Sequence, residues 1–262
     1  MGKTTGIEWT TSTYNPWQGC TKVSSGCREC YMFREKEHYG QDPTKVIRSS
    51  QKTFNAPLNW KLDEGSRIFV CSWSDFFHAD ADEWRPEAWD IIRKLPQYKF
   101  LIPTKRTERI GSCLPGDWGK GWKNVCLGAS VEDQPSIDKR LSELLEIPSV
   151  LYFLSVEPML GPINLTGNPE MEVLPWSEAI LQGCGINWIV CGSESGPNAR
   201  PCNIDWVRSL RDQCVKVGVP FFLKQMSIDG ILIKMPSLDG KVWSQLPPAM
   251  LKKESFANTK EG

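Results

Sequence analysis

Three cysteines stand close together early in the chain: Cys20, Cys27 and Cys30, spaced C-x6-C-x2-C. Thiolates are soft ligands that select zinc and iron–sulfur clusters. Three of them can hold three corners of a 4Fe–4S cluster while the fourth iron stays open to an outside ligand. An open iron suits cofactor chemistry, whereas four protein ligands would make an electron-transfer or structural site. Gly19 and Gly26, each just before a cysteine, let the backbone turn closely around such a group. Zinc is the competing reading, because a C-x2-C pair is common in zinc sites. Against it, the chain has only His38 and His78 and no second C-x2-C pair, although His38 or a distant cysteine could supply a fourth ligand. A disulfide ranks below both. No apolar signal core follows Met1, so a reducing, cytoplasmic setting is expected.

A second group of polar residues ends a series of apolar runs. Arg67–Trp73 runs into Ser74-Asp75, Tyr98–Pro103 into Thr104-Lys105-Arg106, and Val125–Ala129 into Ser130-Val131-Glu132. Val150–Leu154 runs into Ser155-Val156-Glu157, Trp188–Gly192 into Ser193-Glu194, and Val219–Leu223 into Lys224-Gln225. Ser130 and Glu132 are two apart, as are Ser155 and Glu157, so in extended chain each pair points to one side. If that side faces inward, Asp75, Lys105, Glu132, Glu157 and Glu194 gather at one mouth. In α/β barrels the carboxyl ends of the strands form the active site there. The bland alternative is strand-end capping and surface ion pairs.

These residues need elements to position them. Near-continuous apolar runs are expected of parallel strands buried on both faces. A short first strand is expected near Ile7-Glu8-Trp9, and helices over 31–39, 84–95, 133–146 and 203–217. In the last helix, Asn203 is the expected N-cap, with Trp206, Leu210 and Cys214 along one face. The alternation gives six or seven β/α units, hence an α/β fold, a partial (β/α)6-7 TIM-like barrel in preference to a flat doubly wound sheet. The cysteine segment, 15–31, then fills the first β/α loop. The barrel is expected over 1–227. A C-terminal hairpin and tail over 228–262 pack on it, with Asp239-Gly240 turning between Gly230–Lys234 and Lys241–Trp243. Residues 159–187 read as a long loop of the kind that often forms a lid, and Lys252–Gly262 as a polar, frayed end. Cys71, Cys126 and Cys191 lie in apolar runs and read as small buried hydrophobes.

Composition sets limits. The 262 residues suit one large domain, with 40% hydrophobic and 24% charged residues. Lys plus Arg and Asp plus Glu both total 31. A net charge of zero lacks the broad basic field of non-specific nucleic-acid binders. No apolar run approaches the roughly 20 residues of a membrane helix.

Several longer motifs carry a resemblance. They are Asn15-Pro16-Trp17 to Cys20, the Cys27/Cys30/Tyr31 group, Ser155-Val156-Glu157-Pro158 with Leu160-Gly161-Pro162, Gly192–Pro197 with Ala199-Arg200-Pro201, and Pro220–Gln225. Together, from about Gly6 to Pro247, the chain resembles the phage gene-product 37/68 family, whose members are small and similar to radical S-adenosylmethionine (radical-SAM) enzymes. The resemblance implies a partial barrel of the radical-SAM type with a 4Fe–4S cluster on Cys20, Cys27 and Cys30. It implies S-adenosyl-L-methionine on the open iron. One electron, from a donor such as flavodoxin or ferredoxin, would cleave it to methionine and a 5′-deoxyadenosyl radical, which abstracts hydrogen from a small-molecule or nucleobase substrate.

The commonest radical-SAM pattern is C-x3-C-x2-C with an aromatic before the third cysteine. Here the first gap is six, Glu29 precedes Cys30, and Tyr31 follows it among the expected cofactor-binding residues. The usual Gly-Gly-Glu is absent. Ser72, Ser74 and Asp75 are its positional substitutes for the methionine end, while Ser130 or Glu132 would take the ribose hydroxyls. Glu157, Glu194, Lys105 and Lys224 form the expected catalytic, substrate-positioning set. The competing function is a non-catalytic, phage or mobile-element protein that associates with nucleic acid and carries a structural zinc or iron–sulfur site. Lys105-Arg106, Arg109 and tryptophans would form its basic stacking groove. A third reading joins the two, an enzyme acting on a modified nucleobase or tRNA base.

Overall fold

The apolar runs pair side by side in the order in which the chain makes them. The computed structural model describes residues 5–165 and 185–251. In chain order the elements are β1 (Ser12–Tyr14), β2 (Trp17–Gln18), α1 (Tyr31–His38), β3 (Ile47–Arg48), α2 (Gln51–Phe54), β4 (Arg67–Val70) and α3 (Arg85–Arg93). They continue with β5 (Lys99–Thr104), β6 (Val125–Val131), α4 (Gln134–Leu145), β7 (Tyr152–Val156), β8 (Trp188–Gly192) and α5 (Ile204–Val217). The last are β9 (Phe221–Ile228), β10 (Ile231–Lys234), β11 (Ser237–Leu238) and β12 (Lys241–Val242). The helices begin where side chains satisfy free N–H groups. Asp133 and Ser136 form a capping box on α4, and Asn203 caps α5 through the N–H of Asp205.

The main sheet has eight strands in the order β1-β4-β5-β6-β7-β8-β9-β10. All neighbours are parallel except β10, which folds back antiparallel on β9. A doubly wound sheet needs a reversal of strand order at a switch point, and this order never reverses. The sheet instead curls into a half barrel. Inward side chains form one core, in which Trp9 plugs the lower end. Its ring lies 5.0 Å from Phe69, 5.9 Å from Phe153 and 5.8 Å from Trp188, and Leu101, Val190 and Phe222 complete the layer. Outward side chains such as Ile68, Phe100, Leu127 and Ile189 pack on Ile92 of α3, Leu141 of α4 and Leu210 of α5. Lys234 draws the two sheet edges together, reaching Glu8 Oε1 at 2.7 Å and the carbonyl of Gly6 at 2.8 Å.

Two sequence expectations are corrected. Ile7-Glu8-Trp9 is not the first strand; β1 starts at Ser12, because Trp9 is drawn inward to fill the barrel and the chain turns there through Thr10 N to Ile7 O. The segment 231–234 does not pair across Asp239-Gly240. Asp229 and Gly230, both with positive φ (51° and 78°), form an earlier two-residue turn that adds 231–234 to the main sheet. Asp239-Gly240 turns only the small pair β11–β12. The expected division at 227/228 therefore falls inside β9. Most of the long loop expected over 159–187, namely 166–184, and the tail, 252–262, lie outside the described residues. Among the described residues no helix is long and apolar enough to cross a membrane.

Candidate functional site at the barrel mouth

The cysteine loop leaves β1, passes through β2, which pairs with β3, and ends where Cys30 stands at the N-cap of α1. Gly19 has φ 96°, and a Cβ there would lie 2.2 Å from the carbonyl oxygen of Lys45, so only glycine fits. Strand ends across the barrel hold the loop down. Asn15 donates to Ser72 Oγ at 3.0 Å and accepts from Trp73 N at 3.0 Å. The Ser74 hydroxyl donates to the carbonyl of Gly19, and Trp17 Nε1 donates to the carbonyl of Asp75 at 3.1 Å. Gly26 N donates to Glu132 Oε1 at 3.4 Å, and Arg200 Nη2 to the carbonyl of Ser25 at 2.9 Å.

Beneath the loop lies a cavity of about 480 Å³. Cys20, Cys27 and Cys30 all line it, together with Tyr31, Ser72, Ser74, Asp75, Lys105, Ser130, Glu157, Glu194 and Lys224. Of the expected cluster, cofactor-binding and catalytic residues, Glu132 alone does not line it. Its side chain, 1% exposed, sits behind the wall. Burial alone would raise its pKa, but the charge of Lys105 (3.3 Å), a hydrogen bond with Ser24 and the Arg140 guanidinium (2.8 Å) outweigh it and hold the carboxyl down at about 2.

Several candidate cofactor residues are engaged within the protein. Asp75 Oδ1 accepts from Thr104 Oγ1 at 2.7 Å and Phe77 N at 2.9 Å. Its Oδ2 accepts from Lys105 N at 3.1 Å and Arg106 Nη1 at 3.2 Å. Tyr31 OH donates to the carbonyl of Ser72. Glu194 is held by Arg200 through its backbone N–H at 2.9 Å and Nε at 2.8 Å. Glu157 and Lys224 face each other on the cavity wall, Nζ to Oε1 at 2.7 Å, while Ser155 Oγ donates to Glu157 Oε2 at 3.1 Å. Glu157 Oε1 is itself buried beside Lys224 Nζ.

Burial pushes the Cys20 thiol up to about 12, with the Asp75 charge adding and the Arg106 cation opposing. Burial also raises Cys30, against backbone N–H groups of Met32 and Phe33. Cys27 acts electrostatically on both. Among the described residues no three His, Cys, Asp or Glu side chains gather tightly enough to hold a single metal ion. His38 is exposed on α1, away from the cavity.

Sequence reasoning did not place two residues here. Cys71 is buried as expected, yet it also lines the cavity, with φ 62°. Arg106, read as part of a basic groove, is buried and reaches Cys20 Sγ at 3.5 Å. The only signal for it was its position beside Lys105 at a strand end. Lys105, Arg106 and Arg109 are paired with Glu132, Asp75 and Asp82 respectively, so this segment offers no row of free cations.

No curated protein and no solved structure matches the chain. Residues 4–247, nearly its whole length, match a family described as "Protein of unknown function (DUF5131)", and the chain belongs to that family.

Proposed function

We propose that the protein is a radical-SAM type enzyme, holding a 4Fe–4S cluster on Cys20, Cys27 and Cys30 and S-adenosyl-L-methionine in the cavity beneath them. One observation carries the reading: three thiols line the mouth of a curled parallel half barrel above a wall that bears the Glu157–Lys224 pair. The donor set suits the group, being all thiol, with Cys27 in electrostatic reach of the other two. Cys20, Cys27 and Cys30 would each hold a different iron of such a cluster, so their sulfurs need not meet at one point as they would around a single ion. The Arg106 cation and the amides at the start of α1 offset part of the cost of thiolate charge. Held by these three cysteines, a cluster would supply one-electron chemistry to cleave S-adenosylmethionine, giving a 5′-deoxyadenosyl radical for hydrogen abstraction.

The chain's own residues divide the remaining work. Ser72, Ser74, Asp75 and Glu132 position the cysteine loop through the bonds described above. Ser130, on the cavity side of β6, presents its hydroxyl toward the ribose. Glu157 and Lys224 orient a polar group of a small-molecule or nucleobase substrate, and Glu194 with Arg200 shapes the opposite rim. An external donor of the flavodoxin or ferredoxin kind supplies the electron. The test is anaerobic reconstitution with iron and sulfide. It is expected to give brown protein with about four iron per chain, and 5′-deoxyadenosine on reduction with S-adenosylmethionine. Stoichiometric zinc and no iron in anaerobically purified protein would overturn the proposal.

A further inference from the structure

Arg106 is 6% exposed, and its guanidinium is held on both edges. Nη1 lies 3.2 Å from Asp75 Oδ2 and 3.5 Å from Cys20 Sγ. Nη2 donates to the Thr21 hydroxyl at 2.7 Å and to the Thr21 carbonyl at 3.0 Å. Both anchors are themselves fastened. Asp75 accepts from Thr104, Phe77 and Lys105. Thr21 Oγ1 lies 3.0 Å from His78 Nε2, while His78 Nδ1 accepts from Asp80 N at 3.2 Å, which leaves the ring proton on Nε2. Turning the planar fork away from Cys20 would break several of these bonds at once.

The other two thiols are placed differently. Cys27 has the Ser24 hydroxyl at 3.8 Å, and Cys30 faces neutral backbone amides, with the Lys105 cation acting on it through space and not through a hydrogen bond. Among the described residues, Cys20 is the one cluster cysteine whose sulfur receives a hydrogen bond from a formal cation. A donor on a ligating thiolate withdraws electron density from the metal, and a nearby positive charge favours the reduced cluster; both make a reduction potential less negative.

We propose that Arg106 is a positioning residue that acts through Cys20, orienting its thiolate and setting the reduction potential of the cluster, with Asp75 as the counter-charge that limits the effect. This deepens the cluster reading above and rests on it. The test compares wild-type protein with Arg106→Gln, which keeps a donor without the charge, and Asp75→Asn, which removes the counter-charge in nearly the same shape. Each is reconstituted anaerobically, assayed for iron and titrated potentiometrically by the electron paramagnetic resonance of the reduced cluster. The midpoint of Arg106→Gln is expected to move to more negative potential and that of Asp75→Asn to less negative potential. Loosening of the loop alone would not give opposite signs. If one variant does not load, the sign of the other decides. Midpoints equal to wild type overturn the inference and leave the cluster standing, whereas a wild-type protein that takes up no iron overturns the cluster reading itself.

Discussion

Glu132 and Gly26 meet directly: the Glu132 carboxylate accepts from Gly26 N at 3.4 Å, and a Cβ on residue 26 would lie 3.1 Å from Glu132 Cδ. The end of β6 thereby sets the height of the cysteine loop. Glu132 is held in place by Lys105 and Arg140. Gly26→Val is expected to lift the loop, to destabilise the fold by about 1–3 kcal/mol as overpacking does, and to lower iron uptake on reconstitution. Denaturant melts and iron assays read the two effects, and unchanged values for both would refute the contact's importance.

The same carboxylate predicts the acid limit of the fold. A carboxyl held at about 2, below its ordinary 4.5, contributes stability that is present above pH 4.5 and is lost as pH falls toward about 2. The depression corresponds to about 3 kcal/mol. Glu132→Gln leaves the buried Arg140 and the partly buried Lys105 without their anion and is expected to be about 3 kcal/mol less stable at pH 7. The two unfolding curves should converge as pH falls below 4.5. A constant difference from pH 7 to pH 2 would assign the loss to packing instead of charge.

The cysteines separate cleanly into two groups. Cys20→Ala, Cys27→Ala and Cys30→Ala are each expected to abolish cluster incorporation. Cys113→Ala and Cys202→Ala, partly exposed and absent from the cavity lining, should load like wild type. Iron and sulfide analysis after parallel reconstitution checks this. Equal loading of the Cys27→Ala variant would remove it from the ligand set.

Glu157 and Lys224 form a pair whose side chains are 15% and 20% exposed. A double-mutant cycle with Glu157→Gln and Lys224→Met is expected to give a coupling of about 1 kcal/mol, reduced from a fully buried pair by the open cavity. Additive effects on stability would mean that the two side chains do not restrain one another.

Much of this layout is legible locally. Strands alternate sides with a period of two, and Ser155 and Glu157 do line the same cavity, whereas Glu132, one residue past the end of β6, sits behind the wall that Ser130 lines. The register Ser130↔Ser155 sets the two serines side by side. The apolar runs announced β4 through β9, and the polar residue after each run marked the mouth. Other features follow from contacts between distant segments. Arg106 and Lys105 are neighbours in sequence, yet one is buried against Cys20, 86 positions away, and the other lines the cavity against Glu132. Trp9 is expected from the sequence in a short strand with Ile7 and Glu8; its place depends instead on Phe69, Phe153 and Trp188 arriving from three separate strands.

The sequence by itself determined the alternation of strand and helix, the cysteine spacing and which polar residues stand at strand ends, because propensity, periodicity and capping act over a few residues. Tertiary structure decided which of those polar groups face the cavity and which hold the cysteine loop. Ser72, Ser74, Asp75 and Glu132 have donors and acceptors suited to a ligand, but the loop brings its own amides and carbonyls within hydrogen-bonding distance of them, and Arg106 and Arg140 take the carboxylates of Asp75 and Glu132. A polar group that leaves water takes the nearest good partner. Only the folded chain determines which partner that is.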